Sequence, residues 1–403
     1  MDHVVVVGAS LAGVHAASAL RREGFEGAVT VIDAQPHRPY DRPPLSKELL
    51  TGRFAAEEIG LRTAEGLDVS WRLGTRVHAA TRDGSGASGR GGRIATDQGD
   101  VAFDGLVVAT GAEARTLPGT ETIPGVQVVR TLDDATALRT SFEAGISKLL
   151  VVGAGFIGLE VAASARQRGV DVVVVEPLSQ PLERVLGADV GAFIARSHRA
   201  HGVDLRLGIG VSSLAATDDG GVLAHLGDGS SVHADRVVVG IGVRPATGWL
   251  SQAGLNIDDG VVCDETLSAA PGVVAAGDVV RWPSRRAGRL VRVEHWDHAI
   301  ASGEAAARRL LLGPDVGAFD PVPWFWSDQH DMKIQLLGFA DPGLATEVVS
   351  GSFDEDRLAV AYGREGVLVG VLGINRPRHV ALMRERVTAS APFSDAVAAA
   401  REL

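Results

Sequence analysis

One cysteine, Cys263, stands in a chain of 403 residues. A single thiol cannot close an internal disulfide, build a CxxC redox pair, or supply the several thiolates of a zinc ribbon or an iron-sulfur cluster. Any electrons handled here must travel on something bound. Net positive charge is also lacking. Against 39 Lys and Arg stand 50 Asp and Glu, a balance of -11, so no global field would hold a polyanion, and no nucleic-acid partner is expected. Long apolar runs are missing too. The opening stretch, residues 4–20, is shorter than the roughly 20 residues of a membrane span. It is interrupted by Gly8, Ser10, Gly13 and His15, and its flank carries Asp2 rather than Lys or Arg. No export signal and no membrane partner are expected, and the expected location is cytoplasmic. The histidines His15, His198, His201, His298 and His330 show no metal-binding spacing, so no metal is expected.

What is present points to a folded α/β protein. The composition, 45% hydrophobic and 22% charged, is that of a globular chain. Its length exceeds the roughly 250 to 300 residues at which one core stops growing, so two or three domains are expected. Val4 to Val7 form a β-branched run that leads straight into Gly8, Ala9, Ser10, Leu11, Ala12 and Gly13, then a helical stretch. Strand, glycine turn and helix make a mononucleotide unit. The next strand, Ala28 to Ile32, ends in Asp33, about 20 residues past the last motif glycine, where such a unit places its acid for ribose hydroxyls. The design recurs: Leu149 to Val152 leads into Gly153, Ala154, Gly155, Phe156, Ile157 and Gly158, and the strand Val172 to Val175 ends in Glu176. Each glycine turn would let the backbone approach a pyrophosphate at the positive end of a helix.

The repeat extends further. Asp104 to Gly111 is matched by Asp235 to Gly242, each an apolar strand closing on glycine. The Gly/Ser-rich stretch Asp83 to Gly92 reads as an elongated hairpin loop. Gly272 to Asp278 adds another strand, and a helical run follows from about Trp296 to Leu312. From Trp324 the character changes to alternating strands, Lys333 to Leu337, Leu358 to Tyr362 and Val367 to Ile374, with a closing helix near Val380 to Arg386. The expected fold class is α/β, with two Rossmann-like dinucleotide-binding domains and a C-terminal α+β domain.

These residues resemble the FAD-dependent pyridine nucleotide oxidoreductases of the glutathione reductase fold. Ala109, Thr110 and Gly111 look like the motif lining FAD in that family, and Ala276, Gly277 and Asp278 like its second FAD motif. Arg42 to Lys47 and Phe325 to Gln329 are similar to signatures of its ferredoxin reductase branch. The resemblance implies an FAD domain over residues 1–112 and 245–323, an inserted NAD domain over 113–244 and an interface domain over 324–403. It implies that FAD meets Gly8, Ser10, Leu11, Ala12, Gly13, Asp33, Arg42, Pro43, Lys47, Val77, Ala109, Thr110, Gly111, Arg130, Gly277, Asp278, Glu294, His295 and Trp296. NADH would meet Gly153, Gly155, Phe156, Ile157, Gly158, Glu160, Glu176, Gly240, Ile241 and Gly242. Ala246 departs from the family's usual asparagine, which puts a side-chain contact there in doubt.

The branch is set by chemistry as well as likeness. Disulfide reductases of this fold place reactive cysteines shortly after the first unit, and Arg42 to Leu50 contains none. Cys263 reads as a small apolar residue in a strand. Without a thiol relay, reduced flavin must discharge outward. The resemblance then implies hydride transfer from nicotinamide to flavin, followed by single-electron reduction of a [2Fe-2S] ferredoxin that serves a cytochrome P450 or a ring-hydroxylating oxygenase. Lys47, paired with Glu160, and Trp296 would act at the flavin. Glu176, followed by Pro177 to Gln180 without a basic residue, favours NADH over NADPH. Arg281, Arg285, Arg286, Arg289 and Arg292 form a basic cluster to which an acidic ferredoxin would be steered. Alternatives are a rubredoxin or small-acceptor reductase and an NADH-responsive binding flavoprotein.

Overall fold

The four valines that open the chain lie inside a parallel sheet and are 0 to 3% exposed. β-branched side chains suit a strand covered on both faces, and each one buried stabilises the sheet by roughly 1.5 to 3 kcal/mol. A computed structural model describes residues 1–83 and 91–403. In it the chain forms two units. One gathers Met1–Asp41, Ile59–Glu113 and Arg244–Trp324; the other gathers Arg42–Glu58, Ala114–Val243 and Phe325–Leu403.

In the first unit a six-stranded sheet runs in the order Ser268–Ala270, Val273–Ala275, Gly105–Val108, His3–Val7, Ala28–Asp33, Ser70–Leu73. His3–Val7 pairs in parallel with Ala28–Asp33 on one side and Gly105–Val108 on the other. The helix Leu11–Arg22 packs against the helix Trp296–Leu312. That approach needs Gly303, where a Cβ would stand 2.4 Å from the Ala12 carbonyl oxygen. Val77–Arg82, Gly92–Thr96 and Val101–Phe103 add an antiparallel sheet. Its first two strands flank the loop expected over Asp83 to Gly92, of which residues 84–90 lie outside the described residues.

The second unit repeats this pattern. Lys148–Val152 lies between Asp171–Glu176 and Arg236–Val239, parallel to both. An antiparallel sheet of Val211–Ala216, Val222–Leu226 and Ser231–Ala234 follows. A further five-stranded sheet runs Trp324–Gln329, Met332–Gly338, Val367–Ile374, Leu358–Arg364, Ala345–Gly351. The single helix expected near Val380 to Arg386 is instead two, Pro377–Leu382 and Arg384–Thr388. At Met383 ψ is -6°, and this bend lets Val380, Met383 and Val387 all stay buried beside the sheet.

Candidate functional site

The repeated fingerprints become the same local geometry twice. The Gly8 amide donates to Ile32 O at 2.7 Å and the Ala109 amide to Val7 O at 2.8 Å. In the second unit the Gly153 amide donates to Val175 O and the Gly240 amide to Val152 O, each at 2.8 Å. Gly8 has φ +110° and Gly153 φ +101°, and a Cβ on either would meet a carbonyl oxygen of the neighbouring strand end, Ala109 O at 2.1 Å or Gly240 O at 2.5 Å. Glycine is required at both on two counts, handedness and space.

The acids repeat as well. Asp33 accepts from the Ala9 amide at 2.7 Å and the Gln35 amide at 2.8 Å. Glu176 accepts from the Ala154 amide at 2.8 Å and the Leu178 amide at 3.0 Å. Two main-chain donors therefore hold each carboxylate beside its turn. An ionised carboxylate has about four lone-pair sites, which leaves capacity for ribose hydroxyls.

The middle motif position differs between the turns. Ser10 has φ -87° and ψ -169°, and Gly155 φ -78° and ψ 178°. Any residue adopts that extended conformation, so serine replaces glycine without backbone strain. At Gly155 the nearest atom a Cβ would meet is Gly240 O at 3.8 Å, leaving the turn open to approach. Neither helix, Leu11–Arg22 nor Phe156–Gln167, carries an acid in its first turn. By contrast, the helix Leu132–Glu143 carries Asp133 and Asp134 there and is closed by a capping box from Thr131. The fingerprint helices thus keep their positive ends for an anion from outside the chain. The donor set fits the pyrophosphate of a dinucleotide at each turn.

Around the first turn, Thr110 Oγ1 donates to Ala246 O at 2.8 Å and the Ala246 amide to Gly111 O at 3.0 Å. Ala246 is thus joined to the first turn through its main chain. Gly277 lies where a Cβ would come within 2.9 Å of Ala12, and its amide donates to Ser302 Oγ at 2.9 Å. Trp296 opens its helix with Nε1 donating to Asp41 Oδ1 at 2.8 Å. Burial pushes His295 down to about 4, although Asp278 opposes the shift, so the ring is neutral at physiological pH. Glu294 is exposed and pairs with Arg292 at 2.5 Å. Val77 pairs with Thr96 at the start of its strand.

In the second unit Arg42 Nη1 donates to Arg130 O at 2.8 Å, bringing those two expected residues together. Pro43 begins the short helix Pro43–Ser46. Ile157 and Ile241 beside the second turn are 46% and 37% exposed, and the Phe156 ring lies 4.3 Å from that of Phe325. Glu160, 3% exposed, is a hub. Lys47 Nζ donates to its Oε1 at 3.3 Å, Ser327 Oγ to the same oxygen at 2.5 Å, and Ser46 Oγ to Oε2 at 2.5 Å. Burying an ion pair is costly unless further hydrogen bonds satisfy it, and both serines do so here. Sequence reasoning found Lys47 and Glu160 but assigned no role to Ser46, Ser327 or Gln329. All three lie within the two quoted signatures, and Ser327 and Gln329, two apart on a strand, share a face and are both 0% exposed.

Four of the five clustered arginines form ion pairs. Arg281 pairs with Asp258 at 2.5 Å, Arg285 with Glu265 at 2.7 Å, Arg286 with Asp320 at 4.0 Å, and Arg292 with Asp259 at 3.3 Å. The basic cluster read from the sequence thus carries ion pairs, with carboxylates that lie outside the segment. Cys263 is 5% exposed, and burial, reinforced by Asp264, pushes its thiol up to about 12. Among the described residues no group of three or more His, Cys, Asp or Glu could hold a metal ion. No described helix is long and apolar enough to cross a membrane.

Comparison with known proteins agrees with this geometry. Residues 2–303 match the family model described as pyridine nucleotide-disulphide oxidoreductase, and residues 324–403 match that described as reductase C-terminal. The chain is 36% identical over 401 residues to rhodocoxin reductase of Rhodococcus erythropolis, covering 98% of this chain and 92% of that one. It is 35% identical over 386 residues to putidaredoxin reductase of Pseudomonas putida, covering 93% and 89%. The crystal structure of the covalent putidaredoxin reductase-putidaredoxin complex matches with TM-score 0.90 at 32% identity, covering 100% of this chain and 99% of that one. With two acid-pinned glycine turns and a reductase C-terminal region, the chain belongs to the pyridine nucleotide-disulphide oxidoreductase family.

Proposed function

We propose that this chain is an NADH-dependent ferredoxin reductase, which binds FAD and NADH and passes electrons to a [2Fe-2S] ferredoxin serving a cytochrome P450 or a ring-hydroxylating oxygenase. Bound FAD supplies the conversion between a two-electron hydride and single electrons. The observation that carries the reading is the pair of equivalent dinucleotide turns in a chain whose one thiol is buried and held protonated. With no reactive thiol to relay electrons, the acceptor must be a separate molecule.

The residues divide the work. Gly8 to Gly13 and Asp33 hold the pyrophosphate and ribose of FAD, with Thr110 and Gly277 shaping the surrounding backbone. Gly153 to Gly158 and Glu176 do the same for NADH, and the Glu176 carboxylate repels a 2′-phosphate. Arg184, the nearest basic residue along the chain, is exposed on the short helix Glu183–Leu186. Lys47, oriented by Glu160, would supply a positive charge to bound flavin. Trp296, Arg42 and Arg130 would contribute to holding FAD. The FAD domain spans 1–112 and 245–323, the NAD domain 113–244 and the interface domain 324–403. The enzyme works in the cytoplasm.

The test is direct. Purified protein should carry FAD, bleach anaerobically with NADH in preference to NADPH, and reduce a [2Fe-2S] ferredoxin. Protein that bleaches yet passes electrons to no iron-sulfur carrier would overturn the reading.

A further inference from the structure

The hydrogen bonds at Glu160 do not stop at Ser327. Gln329 Nε2 donates to Ser327 Oγ at 3.0 Å, Gln329 Oε1 meets His198 Nε2 at 2.9 Å, and His198 Nδ1 meets His330 Nε2 at 3.2 Å. His198 lies on the helix Ala188–Ala200, far from Glu160 in sequence, and is 0% exposed. His330 occupies a hairpin turn with φ +54°, a conformation uncommon outside glycine. Its ring stacks on His201 at 4.2 Å, and His201 Nε2 lies 3.6 Å from Asp331 Oδ1.

This chain has a direction. Glu160, paired with Lys47, can only accept, so the Ser327 hydroxyl must point at it. The Ser327 oxygen is then left to accept from the Gln329 amide, which turns the Gln329 carbonyl toward His198. That carbonyl requires a proton on His198 Nε2, and the bare Nδ1 requires one on His330 Nε2. One carboxylate charge thus sets the orientation of every group as far as His330, and aligned donors polarise one another. Burial pushes His198 down to about 4, and burial together with His198 and His201 pushes His330 down to about 3. Both rings are therefore neutral near pH 7, as a one-way chain needs.

We propose that His198 is a positioning residue for the reductase, acting through Gln329 and Ser327 to hold the Glu160 carboxylate in the orientation that receives Lys47. The proposal rests on the reading of Lys47 and Glu160 as the pair that serves the flavin, and it adds a remote histidine whose tautomer reports the state of that pair.

Two measurements on the FAD-loaded protein test it. In ¹⁵N-histidine-labelled protein, long-range proton-nitrogen NMR should show His198 as the neutral Nε2–H tautomer from pH 6 to 8. Glu160→Gln, whose amide can donate to Ser327, should allow the chain to reverse and populate Nδ1–H. A wild-type Nδ1–H tautomer, or a His198 signal indifferent to Glu160→Gln, overturns the proposal. The second measurement is a double-mutant cycle on the stopped-flow rate of flavin reduction by NADH. His198→Leu and Ser327→Ala should each slow it about tenfold, the scale of one lost hydrogen bond in a chain ending on a charge. The double variant should be no slower than either, and His198→Gln, which restores a donor near the Nε2 position, should recover most of the rate. Additive losses, or no rescue by glutamine, overturn the proposal. If the His198 tautomer and its response to Glu160→Gln are as expected but Lys47→Met leaves flavin reduction unchanged, it is the reading of the Lys47–Glu160 pair that fails.

Discussion

Ala12 and Ile157 occupy equivalent positions in the two glycine turns, yet one is 6% exposed and the other 46%. The difference lies in what returns to cover them. In the first unit the helix Trp296–Leu312 and the Gly277 turn close over Ala12, with Gly303 and Gly277 at distances where side chains would collide. In the second unit Ile157 stays open, and Ile241 beside the same turn is also exposed. Similar main-chain turns are thereby given two different degrees of cover. With FAD at the covered turn and NADH at the open one, as proposed, the first dinucleotide should be released more slowly than the second.

The largest test of that contrast exchanges the essential glycines for alanine. Each alanine combines left-handed strain with a collision against a carbonyl, a cost of about 3 kcal/mol. Gly8→Ala should yield protein with little flavin absorbance and a lowered Tm. Gly153→Ala should keep its flavin but lose bleaching by NADH at concentrations that saturate the wild type. Equal flavin loss in both would break the assignment of the turns.

A step smaller, Glu160→Gln should slow hydride uptake about 100-fold in stopped-flow absorbance, as for other groups that place a charge at a reacting centre, while titration shows NADH still binding. The acids should then separate the turns again. Glu176→Ala should raise the KM for NADH about tenfold and narrow the preference over NADPH, whereas Asp33→Ala should instead weaken FAD retention, measured by flavin release on dilution. The smallest effect belongs to Ser10→Gly. The backbone there is extended, so the change should cost no more than about 1 kcal/mol of stability, seen as a small fall in Tm with unchanged flavin content.

Much of this was legible in the residue order because main-chain chemistry leaves local marks. Gly8 and Gly153 follow apolar strands directly, and Asp33 and Glu176 end the next strand, so the turns and their acids could be read from spacing. The helix Leu132–Glu143 left a local mark too, Thr131 and Asp134 three residues apart in a capping box, but the strand-and-glycine pattern did not bring it out. Other features left none. His198, Ser327 and His330 come from a helix and a hairpin far apart in sequence, and no local periodicity joins them. The arginines from Arg281 to Arg292 looked like a positive patch because their partners Asp258, Glu265 and Asp320 lie outside the segment.

The sequence by itself determined the two dinucleotide turns, the acids beside them and the exclusion of a thiol relay, since each depends on glycine conformation, strand burial or composition over a few neighbouring residues. Only the tertiary structure decided which turn is covered, which charges are cancelled, and that Glu160 sits at the end of a directed chain reaching His330. Coverage, ion pairing and hydrogen-bond direction all depend on groups brought together from distant segments.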